Sequence, residues 1–193
     1  MVPAFLAIGF ATYYLLTPII SPYELFAMGR FEFAVKCICT ALLFTLVLSI
    51  ENVSRERLFS PAIDPIDGKE APYMKIAQRL LASSAEQFLV FAVGLLGLSQ
   101  LLTNGKELRL LVALTVVWVL SRFVFWIGYS FGSKFRSAGL FGMVQSYVVL
   151  LYVVAKFAAN AFGATGLVCA LSAFALCEAV ITFSAIKRNR RTN

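Results

Sequence analysis

Residues 110–131 read LLVALTVVWVLSRFVFWIGYSF, an apolar run broken by one formal charge, Arg122. As a helix, roughly 20 apolar residues cross the ~30 Å hydrocarbon layer of a bilayer, so this stretch predicts a transmembrane helix. Five more stretches have the same character: 2–20, 33–50, 84–103, 138–160 and 164–186. They take up most of the 193 residues, of which 60 % are apolar and 14 % charged. Mean hydropathy is +0.83, and soluble domains are only about 45–50 % apolar. The expected fold is an all-α integral membrane protein with no soluble domain of ordinary size.

The first stretch has the length of a secretory signal but lacks a basic n-region and a small-x-small cleavage site, so it is read as a retained span. The longest polar connection is 51–79, ENVSRERLFSPAIDPIDGKEAPYMKIAQR. Its prolines and Asp-Gly pair predict an irregular loop, with helix resuming near Tyr73. The remaining links are short, which implies an antiparallel bundle.

Lys and Arg total 17 against 10 Asp and Glu, a net charge of +7. In a nucleic-acid binder such an excess would form a basic face. Here it falls mostly in the links between spans, where it sets topology and meets anionic headgroups. Arg55, Arg57, Lys69, Lys75, Arg79, Lys134, Arg136, Lys187, Arg188, Arg190 and Arg191 fall on one side, whereas only Arg30, Lys106 and Arg109 fall on the other. The positive-inside rule places the richer side, with both termini, in the cytoplasm. The chain contains no histidine, which excludes a His base and a His-liganded metal. Cys37, Cys39, Cys169 and Cys177 lie in apolar runs without CxxC spacing and read as small hydrophobes. No metal and no nucleic acid is expected.

Charges inside spans are costly and are usually paired or functional. Arg79, Ser83 and Glu86 fall at i, i+4 and i+7 and so share one helical face. Arg122, Phe125, Trp126 and Tyr129 form a second stripe running back to the same side, with Arg136 on the following link. By depth, Glu86 and Arg122 are expected to meet in a polar pocket that also holds Tyr129. Such a pocket suits a small anion carrying an ammonium group, with Arg79 and Arg136 clamping carboxylates, Glu86 accepting from the amine and Tyr129 donating a hydrogen bond. The other reading of the same residues is a structural ion pair, an interfacial tyrosine and topology markers. Lys36 and Lys156 lie near enough to span ends to snorkel. Glu178, about halfway through its span, reads as protonated or as bonded to a neighbouring helix, with a role in a second site or proton path as the alternative, and ANAFGATG (159–166) as a tight helical turn. The terminal KRNRR reads as a cytoplasmic stop signal that contacts anionic lipid.

The run RLLASSAEQFLVF (79–91), together with SRFVFWIGYSFGSKFRSAG (121–139), resembles the MAPEG superfamily, the membrane-associated proteins of eicosanoid and glutathione metabolism. The family's R-x-x-x-N-x-x-E is matched by Arg79, Ser83 and Glu86. Its Arg, its aromatic or His three residues on, its Gly-Tyr and its later Arg are matched by Arg122, Phe125, Gly128-Tyr129 and Arg136. Within the superfamily the pattern is most similar to the mattrin-like branch. The resemblance implies a four-helix core over 33–160, with an additional transmembrane helix in 1–32 and another, with a basic tail, in 161–193. It also implies a homotrimer binding glutathione between subunits near the cytoplasmic side. Arg79, Ser83, Glu86, Arg122, Tyr129 and Arg136 match the binding positions, with Arg55 and Arg57 as a further basic position. Arg136 matches the residue that stabilises the glutathione thiolate, since a nearby guanidinium favours the charged form. Ser83 replaces the family's Asn and Phe125 a polar ring, so weaker or altered thiol binding is expected.

Two functions follow from the resemblance. One is conjugation or reduction of lipophilic electrophiles or lipid hydroperoxides with glutathione. The other is a non-catalytic membrane scaffold or lipid-binding protein that regulates other membrane proteins. The topology is testable independently: a reporter fused after Asn193 should read out in the cytoplasm, and a lumenal or extracellular signal would overturn the assignment.

Overall fold

The computed structural model describes residues 29–59, 72–102, 105–131 and 136–192. The first apolar stretch, 2–20, and the proline-rich segment 60–71 lie outside these residues. The described chain is helical: α1 (Arg30–Leu42), a π-helical segment (Leu43–Val47), α2 (Leu48–Phe59), α3 (Pro72–Leu101), a 3₁₀ turn (Gly105–Leu108), α4 (Arg109–Phe131) and α5 (Arg136–Thr192). Four helical stretches are long and apolar enough to cross a membrane: Arg30–Phe59, Pro72–Leu101, Arg109–Gly128 and Phe141–Arg188. Helix satisfies every backbone polar group internally, which the hydrocarbon layer requires.

Of the loop expected over 51–79, residues 51–59 and 72–79 are helix. Helix continues unbroken to Phe59 and resumes at Pro72, where the missing N–H is one no helix would use. The polar residues of α2 support helix rather than loop, with Arg55 donating to Glu51 one turn away at 3.1 Å. Val53 of α2 packs with Met74 and Ala77 of α3, and Leu81 covers the cluster. Each rod of 30 residues is about 45 Å long at 1.5 Å per residue. That exceeds the hydrocarbon thickness, so this hairpin extends beyond it.

α1 packs against α3 and α4, and α3 against α2 and α4. The centre of the bundle is Trp118, which is fully buried. Its ring stacks on Phe91 of α3 at 4.6 Å and 16°, and meets Phe88 at 5.8 Å and 60°. Close approach of α5 depends on small residues. A Cβ on Gly142 would collide with Ser121 Oγ and lie 3.5 Å from Trp118, and one on Gly94 would lie 3.4 Å from Val149. Gln145 Nε2 donates to the Leu114 carbonyl of α4 at 2.8 Å.

The chain divides into two compact units after Leu150. In the second, the helix breaks at Gly163 (φ 66°, ψ −155°), a backbone conformation essentially confined to glycine. The break falls inside ANAFGATG and separates the two spans expected at 138–160 and 164–186. Trp118→Ala should destabilise the purified protein by about 3–5 kcal/mol, read as a lower thermal midpoint. Leu120→Ala on the exposed side of the same helix should change it far less. Equal effects would contradict the packing described.

Candidate functional site

α3 has two faces. Leu80, Ser84, Phe91, Leu95 and Leu98 are buried against the bundle, and they fix the rotation of the helix about its axis. The other face carries Arg79, Ser83, Glu86, Val90, Val93, Gly97 and Gln100 in alternating steps of four and three. Along it Arg79, Glu86, Val93 and Gln100 are exposed, and Ser83, Val90 and Gly97 half-buried. Arg79 and Glu86 are separated by about 10 Å along the axis. Farther along, Val93, Leu96, Gly97 and Gln100 form an open groove of ≈ 530 Å³ with Phe31 of α1.

Ser83 has a neighbour that sequence reasoning missed. Gln87 Nε2 donates to Ser83 Oγ at 3.3 Å. Gln87 Oε1 is buried and accepts no hydrogen bond from the described residues. The i+4 spacing was the available signal, and it places an amide beside the position where an asparagine was expected.

Arg122 belongs to a different environment. It is 4 % exposed, and its guanidinium lies 4.8 Å from the centre of the Phe125 ring. Both line a cavity of ≈ 20 Å³ with Leu80, Ser84, Thr45 and Ser49. Thr45 belongs to the π-helical segment and donates to the Ala41 carbonyl at 2.6 Å; Ser49 donates to the Thr45 carbonyl at 2.8 Å. Each hydroxyl oxygen thereby keeps its accepting capacity. The cavity holds about one water and has no room for a peptide.

The expected convergence of Glu86 and Arg122 does not occur within one chain. Ser84 lines the Arg122 cavity, and Glu86 follows it by about 200° around the helix at 3.6 residues per turn. Depth along two helices was legible in the sequence, but the rotation imposed by Leu80, Phe91 and Leu95 was not. Tyr129 lies near the end of α4 and Arg136 opens α5. Arg55 and Arg57 are exposed on α2. The contact of Val53 with Met74 and Ala77 puts them at the same end of the hairpin as Lys75 and Arg79. Among the described residues no group of His, Cys, Asp or Glu could hold a metal ion.

Residues 10–158 match the model of the MAPEG family. The chain belongs to the MAPEG family. No curated protein and no solved structure matches it. The match identifies the family and no branch within it. The MAPEG segment contains α1 to α4 and the first part of α5, with every candidate residue named above. It begins inside the first apolar stretch, earlier than the expected core boundary at 33, and ends a few residues before the Gly163 break.

Proposed function

We propose that this MAPEG protein binds glutathione along the exposed polar stripe of α3, in a cleft completed by a neighbouring copy within a homotrimer. The observation that carries the reading is the exposure of Arg79 and Glu86 on a membrane-spanning helix. Hydrocarbon cannot solvate the Glu86 carboxylate, about 10 Å farther along the helix than Arg79, whereas a zwitterionic peptide and a second subunit can. The 4–3 spacing from Arg79 to Gln100 is the 3.5-residue repeat that keeps one seam facing a partner helix, and the open groove at its far end accepts apolar side chains or an acyl chain.

In this reading Arg79 pairs with a glutathione carboxylate in a two-pronged contact, and Glu86 accepts from the α-ammonium group. Ser83 and Gln87 offer a hydroxyl and an amide to the peptide backbone. Tyr129 donates a hydrogen bond, Arg55 and Arg57 add positive potential at the same end, and Arg136 favours the thiolate over the thiol. The thiolate attacks a lipophilic electrophile that arrives laterally from the bilayer. A carbon–sulfur bond forms, and the leaving group departs with its electron pair. Arg122, buried beside its own small cavity, holds α4 against the π-helical segment, α2 and α3 rather than touching the peptide. The excess of basic residues at the α2–α3 end supports a cleft near the cytoplasmic face.

Calorimetry on the full chain in detergent should detect glutathione binding. Arg79→Ala and Glu86→Gln should each weaken it by about tenfold or more. Absence of binding at millimolar glutathione, or unchanged binding in both variants, would overturn the reading.

A further inference from the structure

Thr40, Thr45, Ser49, Thr115, Ser121 and Ser146 each donate their hydroxyl proton to a carbonyl one turn back on their own helix. Ser83 makes no such bond. Its hydrogen bond among the described residues runs the other way, with Ser83 Oγ accepting from Gln87 Nε2 at 3.3 Å. The far end of the amide decides its orientation. Gln87 Oε1 is buried and accepts no hydrogen bond from the described residues. Turned over, the amide would bury an NH2 group there without an acceptor, and orphaned donors are tolerated less than under-satisfied carbonyls. Gln87 therefore takes up a lone pair of Ser83, and the Ser83 O–H finds no acceptor among the described residues. A half-buried hydroxyl proton on a membrane span needs one from elsewhere.

We propose that Gln87 is a positioning residue: by donating to Ser83 Oγ it holds the Ser83 O–H outward, as a donor to a carboxylate or carbonyl oxygen of the bound peptide. The assignment rests on glutathione binding along the stripe of α3. A serine hydroxyl by itself donates or accepts with equal ease, so an unassisted Ser83 would take either an N–H or an oxygen of a ligand. Engaged by Gln87, it is biased toward donating, and linked hydrogen bonds polarise one another, which strengthens the outward O–H. The placement suits an acceptor. Ser83 lies about 6 Å along the axis from Arg79 and about 4.5 Å from Glu86. Arg79 only donates and an ionised Glu86 only accepts. Ser83 thus extends the donor side of the stripe by one turn, and the change from donor to acceptor falls between Ser83 and Glu86. Gln87 selects a ligand whose oxygen atoms face Arg79 and Ser83 together.

A double-mutant cycle tests this, read by calorimetry with glutathione on the full chain in detergent. Ser83→Ala and Gln87→Met, the second keeping side-chain length without a donor, should each weaken binding by about five- to tenfold. In the Ser83→Ala background Gln87→Met should cost about twofold or less, since the hydroxyl it orients is gone. Gln87→Ala should repeat the pattern, so the result does not hang on one replacement folding well. Equal losses in the two backgrounds would overturn the proposal, because Gln87 would then act structurally or by direct contact alone. An unchanged affinity in Gln87→Met, with Arg79→Ala still weakening binding, would overturn it and leave the glutathione reading standing. A smaller oligomer with unchanged affinity in Ser83→Ala would also contradict it, the acceptor then being a second copy. No binding by the unsubstituted chain at millimolar glutathione would remove both readings.

Discussion

Hydrocarbon offers no hydrogen bonds, and that constraint organises this protein. It puts the backbone of every described span into helix. It also turns the short hydroxyls back onto their own helices: Thr45 to Ala41, Thr115 to Leu111, Ser121 to Trp118 and Ser146 to Gly142. Groups too large or too charged for that solution must be covered by something else. Arg122 is covered within the bundle, under an aromatic ring and among hydroxyls. Arg79, Ser83 and Glu86 are left on an open face. The protein's functional surface is read from those positions.

The packing that buries one face of α3 is what exposes the other. Phe91 stacked on Trp118, with Leu80, Leu95 and Leu98 beside it, fixes the helix rotation and aims the polar stripe away from the bundle. The π-helical segment contributes at the same level: it places Thr45 beside the Arg122 cavity, and such insertions often mark functional sites. In the proposed cleft the single chain supplies one wall and a neighbouring copy the other. This agrees with the small volume around Arg122, where no peptide fits.

Much of this was legible in the sequence. The span expected at 110–131 is Arg109–Phe131, and the break at Gly163 falls within the glycine-containing turn anticipated there. The face shared by Arg79, Ser83 and Glu86 follows from spacing alone. Two features were not legible. The helix running on to Phe59 looked like loop, because its exposed polar residues lack apolar periodicity and its contact with α3 is a tertiary fact. The separation of Glu86 from Arg122 depends on helix rotation, which a comparison of depths does not contain. Gln87 lies outside the Arg79–Ser83–Glu86 pattern, and only its i+4 step from Ser83 marks it.

The central claim is that a second copy covers the exposed stripe of α3. Disulfide trapping in native membranes tests it directly. Cys37, Cys39, Cys169 and Cys177 are replaced by alanine, and single cysteines are placed at Val93 on the stripe and at Leu120 on the exposed side of α4. The account predicts an intermolecular cross-link for Val93→Cys and none for Leu120→Cys. A Val93→Cys protein that stays monomeric under oxidation would contradict it, as would one that cross-links no better than Leu120→Cys.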